Sequence, residues 1–390
     1  MPSTQESFSL YVHIPYCIKK CPYCDFNVHV APVLPEREYT AALIAELESY
    51  CRSSDWQRRS LQSIFFGGGT PSMFAPDNIG RVIERASRLF PFEKEIEISL
   101  EANPDRDDCA RLPRFRSCGV NRISIGAQSF QLRLLKYLGR LHTADETRRA
   151  LHTACGAGYE SISLDLIYAV PSQSLTELEA DLLEALSFAP HHLSAYNLTF
   201  EEGTPVGRDY RAGKIQSLPE DTEIAMAKLI EDMAAAHGLE RYEISNYAKP
   251  GFQSCHNKNY WLGGDYLGIG AGAHSYKRVG NGGMVWGRRW RNEKSPRRYM
   301  NQVREMAKAV SSSEEIDKAR AAGEFMFLGL RMMQGISPQE FSRRFGQPPD
   351  DLYSVISDLL NDGLMEKAGS RLRLTSNGLL VANSIFVHFV

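Results

Sequence analysis

The chain has 390 residues, 43% hydrophobic and 24% charged, which is ordinary globular material and long enough for about two or three domains. A formal net charge of −2 gives no electrostatic reason to expect nucleic acid, no stretch approaches the ~18 consecutive apolar residues of a membrane span, and Met1 to Leu10 lack the basic start and apolar core of a signal peptide. Eight cysteines are too dilute for a stapled secreted domain, so the expectation is a soluble cytoplasmic protein in which Cys51, Cys109, Cys118 and Cys155 stay reduced.

An apolar run over Phe8–Ile14 reads as a first strand and leads into Tyr16-Cys17-Ile18-Lys19-Lys20-Cys21-Pro22-Tyr23-Cys24. Three thiolates on one short loop can hold three irons of a four-iron cube and leave the fourth iron without a protein ligand. The alternative is a structural zinc site, which needs a fourth ligand such as His13 or His29.

Beyond this loop, β-branched runs alternate with helical patterns up to about Thr199, the signature of parallel strands joined by crossover helices. Further strands are expected near Leu61–Phe66, Glu95–Leu100, Arg122–Gly126, Ser161–Ile167 and His192–Thr199. Helical spacing marks Glu36–Cys51, Pro76–Leu89, Thr143–Gly158 and Thr176–Phe188, several opened by a capping residue or proline. Six such units fit either a doubly wound sheet or a barrel, and periodicity alone does not choose. The polar residues favour the barrel, because the cysteine loop, Gly67-Gly68-Gly69-Thr70-Pro71, Glu101, Gln128, Asp165 and Tyr196-Asn197 all fall at or near C-terminal strand ends. In barrels of this kind that rim assembles the active site.

The glycines suit a backbone that must approach a ligand with no side chain between, and their amides and carbonyls can bind the amino group of an amino acid. Glu101 is either a solvated strand end or a hydrogen-bond partner for a ribose. Gln128 and Arg140 say little individually. Asp165 interrupts an apolar run, where a carboxylate is costly unless paired.

From Gly263 to Gly287 the chain is glycine-rich and reads as a tight loop closing over the barrel mouth, with His274 a further polar candidate. Basic residues dominate from Lys277 to Lys308, notably Arg288, Arg289, Arg291, Lys294, Arg297 and Arg298, with Trp286 and Trp290 interleaved. An anionic membrane face, an anionic ligand or plain solvent are the targets such a stripe suits. The last segment is expected to form helices over Ile316–Met333, Ser337–Phe345 and Asp350–Asn361, a hairpin of Leu364–Lys367 with Leu372–Leu374, and a final helix near Gly378–Ile385. That order suggests a winged-helix-like unit, read here as a cap on the barrel.

Taken together, these residues resemble the HemN/HemW group of radical S-adenosylmethionine (SAM) proteins, which includes oxygen-independent coproporphyrinogen dehydrogenases and HemW-type haem chaperones. The likeness runs from Tyr11-Val12-His13-Ile14-Pro15-Tyr16-Cys17 through Gly67–Ser72, Glu101–Pro104, Gly126–Phe130 and Asp165–Pro171 towards the C-terminus. It implies an α/β fold: a partial (β/α)6 barrel of the radical SAM type over residues 1–240, a connecting region over 241–310, and a mostly helical, winged-helix-like C-terminal domain over 311–390. It further implies a [4Fe–4S] cluster on Cys17, Cys21 and Cys24, with SAM chelated at the open iron and contacted by Tyr11, Tyr23, Gly68, Gly69, Thr70, Glu101, Gln128, Arg140 and Asp165. Coproporphyrinogen dehydrogenases carry a further cysteine where Phe26 stands and a long extension ahead of the motif, whereas ten residues precede Tyr11 here; both features resemble the HemW branch. His256-Asn257-Lys258-Asn259-Tyr260-Trp261 is similar to the haem-binding element of that branch, which makes His256 the expected axial ligand, with Cys255 as a second candidate. The expected partners are haem and a haem-accepting respiratory haemoprotein. A radical enzyme acting on a tetrapyrrole and a haem-degrading methyl-transfer enzyme stay open as alternatives.

Overall fold

Apolar side chains on both faces of a strand require layers on both sides, and each early strand of this chain is of that kind. In the first of them Phe8, Leu10, Val12 and Ile14 are buried together with Ser9 and His13 on the opposite face. The computed structural model describes residues 7–279 and 283–390, the side chains of residues 106 and 107 aside. It places six parallel strands, β1 (Ser7–Ile14), β2 (Ser60–Gly68), β3 (Phe92–Ala102), β4 (Arg122–Gln128), β5 (Ser161–Tyr168) and β6 (His192–Asn197), side by side in chain order. A doubly wound sheet would reverse its order at a switch point. Sequential order instead carries every crossover the same way round, so the sheet curves as a partial barrel with all six C-terminal ends on one rim.

The crossovers hold α1 (Glu36–Cys51), α2 (Pro76–Leu89), α3 (Arg106–Ser117), α4 (Leu132–Tyr137), α5 (Ala144–Gly156) and α6 (Leu175–Ser187). Local chemistry sets several of their starts. Pro76 opens α2, and α5 and α6 begin with reciprocal capping boxes, Thr143 with Glu146 and Ser174 with Glu177. The helix over α3 went unpredicted because Pro113 lies inside it.

After α7 (Pro205–Arg211) and α8 (Glu220–Ala236), the sheet is extended at both edges. Beside β6 lie the antiparallel β8 (Asn246–Ala248) and then β7 (Glu240–Glu243); beside β1 lies β9 (Tyr266–Ile269), parallel to it, followed by antiparallel β10 (His274–Arg278), β11 (Gly287–Asn292) and β12 (Val310–Ile316). The glycine-rich segment is therefore not a loop over the mouth. Two strands of the sheet pass through it, with residues 280–282 outside the described part. Glycine is needed because a Cβ at Gly268 would strike the carbonyl of His274.

The basic stripe also changes character. On β11 and β12 the side chains of Arg288 and Arg289 face Glu315 and Glu314 across the register, and Arg289 also pairs with Glu324 at 2.5 Å. Two of the six notable cations thus belong to a charge-paired face.

Two more helices matter for the site, α9 (Cys255–Trp261) and α10 (Pro296–Met306). In the C-terminal part the helix expected over Ile316–Met333 is shorter, since Ile316 ends β12 and Asp317 caps α11 (Lys318–Leu330). Then come α12 (Pro338–Phe345), short helices at Pro349–Leu352 and Val355–Asn361, the hairpin β13 (Met365–Ala368) and β14 (Arg371–Leu374), and helices Ser376–Leu380 and Ala382–Phe386. Helices followed by a hairpin bear out the winged-helix-like order. Its core, around Met326, Phe341, Phe345, Ile356 and Leu372, is continuous with Tyr276 and Trp286 of the sheet extension. Trp286 stacks on Phe345 with ring centres 5.4 Å apart, fixing this unit to the barrel's side.

Candidate functional site at the barrel mouth

The cysteine loop follows β1 directly, and Cys17 ends a two-residue strand paired with His29–Val30. All three thiols are free and partly exposed. Burial pushes the Cys17 thiol up to about 11 and raises Cys24 as well. Thiolates in such a place require cations bound to them, which is what iron supplies. Donors already point at the sulfurs: Thr70 Oγ1 lies 3.4 Å from Cys17 Sγ and Arg140 Nη1 3.7 Å from Cys21 Sγ. Asn103 ties these two donors together, donating to Thr70 Oγ1 at 3.0 Å and accepting from Arg140 Nη2. Arg140 also donates to the carbonyl of Gly126, while its Nε is buried with no partner among the described residues. Asn103 was not singled out in the sequence; the Thr70 and Arg140 side chains it bridges are 70 residues apart in sequence.

Among the described residues no three His, Cys, Asp or Glu side chains converge on a single ion. A cube makes no such demand, because each thiolate takes a different iron. His13 does not serve as a fourth ligand in this arrangement. Its Nδ1 faces the Tyr11 hydroxyl and its Nε2 the carbonyl of Asn27, each at 3.0 Å, and burial lowers its pKa to about 4. His29 Nε2 is 3.2 Å from the carbonyl of Lys294.

Next to the loop, the Gly68 amide donates to Glu101 Oε2 at 3.1 Å. Gly68 has φ +108°, and a side chain there would collide with the His13 ring. Burial, followed by the charge of Asp165, pushes Glu101 up to about 8. Asp165 is raised by burial too, although hydrogen bonds from the hydroxyls of Ser194, Ser124 and Ser163 favour its charged form. Ser124 Oγ reaches both carboxylate oxygens at 3.0 Å. Two neighbouring acids that resist ionisation together suit a ligand that brings hydroxyl donors and a positive charge. Gln128 ends β4 at φ 66°, a left-handed turn that re-aims the chain at the rim. Tyr23 packs on Leu134, Leu138 and Val170, and its pKa is raised, first by burial. Cysteine loop, Thr70, Arg140, Gly68, Glu101 and Tyr11 thus meet at one mouth, with Gln128 at the end of β4 and Asp165 in the middle of β5 and not, as expected, at its end.

His256 does not stand in that mouth. It is 1% exposed, stacked on Phe65 at 5.0 Å, with Nδ1 2.9 Å from Ser63 Oγ and Nε2 2.9 Å from Tyr260 Oη. Both ring nitrogens are occupied, and burial lowers its pKa to about 3. Ligation of iron by His256 would therefore require this pocket to open. Burial likewise keeps the Cys255 thiol protonated, at about 11. The helix carrying both is held by Glu97 on β3, which accepts from the amides of Cys255 and His256 at 2.9 and 3.0 Å. Glu97 went unnoticed in the sequence, because nothing near it announces a cap for a helix 158 residues away.

Between the mouth and α11 lies a cavity of about 610 Å³. Tyr11, Gly68 and Glu101 line it from the barrel, Tyr260 and Trp261 from α9, Tyr266, His274 and Tyr276 from the sheet extension, and Phe325, Phe327 and Leu328 from the C-terminal unit. His256 is behind its wall, in contact with it through Tyr260.

Comparison with known proteins agrees with this architecture. Residues 11–185 match the radical SAM superfamily and residues 316–381 the HemN C-terminal domain. The chain is similar to "Heme chaperone HemW" of Bacillus subtilis, 34% identical over 98% of this chain and 99% of that protein, and to that of Escherichia coli, 34% identical over 98% of both. A mouse relative, "Radical S-adenosyl methionine domain-containing protein 1, mitochondrial", is 33% identical over 99% of this chain and 89% of its own. The solved structure of coproporphyrinogen III oxidase HemN from Escherichia coli shares the fold with a TM-score of 0.83, at 22% identity over 99% of this chain and 90% of that one.

Proposed function

Since the chain belongs to the HemW family of radical SAM proteins, we propose that it binds haem and delivers it to a recipient haemoprotein, with a [4Fe–4S] cluster and SAM held at the barrel mouth. The observation that carries this reading is likeness to HemW proteins along the whole chain, at 34% identity over 98% of it. Phe26 at the position of the dehydrogenases' further cysteine supports it.

On this reading Cys17, Cys21 and Cys24 hold the cluster, with Thr70 and Arg140 donating to its sulfurs. The backbone of Gly68 and Gly69 faces the methionyl part of SAM, while Glu101, Asp165 and Gln128 take its hydroxyls and charge; Tyr11 and Tyr23 close the sides. The chemistry that cluster and SAM supply when bound is one-electron reduction of a sulfonium. In the chaperone that chemistry regulates haem binding or transfer. The recipient is a respiratory haemoprotein reached from the cytoplasm. No helix of the described residues is long and apolar enough to cross a membrane, so any membrane contact is peripheral and rests on Arg291, Arg297 and Arg298, which have no carboxylate partner among the described residues.

A second reading, a radical enzyme acting on a tetrapyrrole, is favoured by the assembled mouth, where Thr70 and Arg140, bridged by Asn103, are already aimed at the cysteines. One experiment separates the two. Anaerobically reconstituted protein receives SAM, reductant and coproporphyrinogen, and in parallel is loaded with haem and mixed with an apo-haemoprotein. Transfer of haem without decarboxylated porphyrinogen is the expected result; turnover of porphyrinogen at enzymatic rates would overturn the chaperone reading.

A further inference from the structure

We infer that haem occupies the cavity between the barrel mouth and the C-terminal unit, with His274 as its axial ligand and His256 as a positioning residue behind the wall. The inference rests on the haem-binding reading and assigns that reading its site.

A haem site needs flat apolar walls, a ligand with a free lone pair, and cations for two propionates. Three histidines are near this cavity, and their hydrogen bonds distinguish them. His13 and His256 have both ring nitrogens engaged, by Tyr11 and Asn27 in one case and by Ser63 and Tyr260 in the other. His274 lines the cavity, is exposed, and has no hydrogen-bond partner on either nitrogen among the described residues. It stands in register opposite Arg291 on β11, with its ring open to the cavity.

Walls and cations are in place. Phe325 and Phe327 of α11 line the cavity together with Tyr260 and Tyr266, so an aromatic macrocycle has aromatic surface to meet. Of the lining cations, Arg289 is consumed by Glu324 and Glu314. Lys294 and Arg344 have no carboxylate within ion-pair distance among the described residues, and Arg344 is stationed over Phe325 at 5.7 Å. These two are the propionate partners. His256 enters through Tyr260, whose hydroxyl it holds at 2.9 Å and whose ring forms part of the wall. Removing the His256 imidazole should loosen that wall without removing a ligand.

The test is a titration of the full-length, cluster-reconstituted protein with ferric haem, read by the position of the Soret band and by affinity. Wild type should give a discrete, imidazole-type band. His274→Ala should lose that band and bind at least tenfold more weakly, and His274→Cys should give a thiolate-type spectrum, a signature no structural role would produce. His256→Ala should keep the wild-type band with an affinity lower by a few fold. A wild-type band and affinity in both His274 variants would overturn the assignment while leaving the haem-binding reading intact, as would loss of the band in His256→Ala. A wild type that shows only the spectrum of free haem would overturn both.

Discussion

At the scale of single residues, the mouth is defined by donors aimed at sulfur and by acids that resist charge. Arg140 touches Cys21 Sγ, Asn103 and the carbonyl of Gly126 at once. A donor to a cluster thiolate stabilises the more negative, reduced state. Arg140→Ala should therefore lower the midpoint potential of the reconstituted cluster, as followed by an EPR-monitored redox titration; an equal or higher midpoint would contradict that role. Glu101 titrates at about 8 in the ligand-free protein. A cationic ligand favours its ionised form, so SAM affinity should rise with pH up to about 8 and level off above it. Glu101→Gln should flatten that profile and weaken binding by about 1.5–3 kcal/mol, the size of a hydrogen bond to a charged group. Equilibrium binding of SAM from pH 6 to 9 decides it, and identical profiles for the two proteins would remove Glu101 from the site. The cysteines were legible in the sequence because their chemistry lies within eight residues. The setting of His256 was not, because the groups that occupy its ring, Ser63 and the aromatic face of Phe65, reach it from a strand nearly 200 residues earlier.

Between elements, buried polar ties fix the sheet extension to the barrel. Glu46 on α1 is fully buried and accepts from the amide of Gly270, Asn292 Nδ2 and Tyr299 Oη at 3.0, 2.7 and 2.6 Å. It thus joins α1 to the turn after β9, to β11 and to α10. Burial raises it from 4.5 to about 7 despite those donors. A raised carboxyl pKa gives stability that is full below the unfolded value and lost as pH rises through the folded one. On the order of 3 kcal/mol should disappear between pH 4.5 and 7 from this group. Denaturant unfolding across that range should show a smaller pH dependence in Glu46→Gln than in wild type, and equal slopes would contradict the assignment. The capping box of α5 allows a second check: Thr143→Ala should cost about 1 kcal/mol. At this scale the six core strands were legible because β-branched runs alternate with capped helices. The edge strands β9 to β12 were not, since their glycines and arginines hide a pattern completed only by Glu314 and Glu315 on the neighbouring strand.

The whole molecule is a half-open barrel whose sheet runs on past β1 and whose C-terminal unit is stacked on that extension, so that an aromatic cavity adjoins the mouth. Arg288 and Arg289 of the basic stripe are paired with Glu315 and Glu314, which limits what a membrane can hold there. Replacing Arg291, Arg297 and Arg298 by alanine should reduce sedimentation with anionic vesicles, by about 1 kcal/mol per cation at the surface; unchanged sedimentation would remove the membrane from the account. The preference for a barrel over a doubly wound sheet followed from the sequence because strand-end chemistry recurred six times. The placement of the cavity did not, because it depends on how α11 packs across the sheet extension. The central claim is that three thiols at this mouth hold an iron cube with one corner open to SAM. EPR of the anaerobically reconstituted, reduced protein tests it directly. The account predicts a cluster signal whose g-values shift on adding SAM, and neither signal nor shift when Cys17, Cys21 and Cys24 are all changed to serine. A cluster signal indifferent to SAM, or one that survives the triple change, would contradict it.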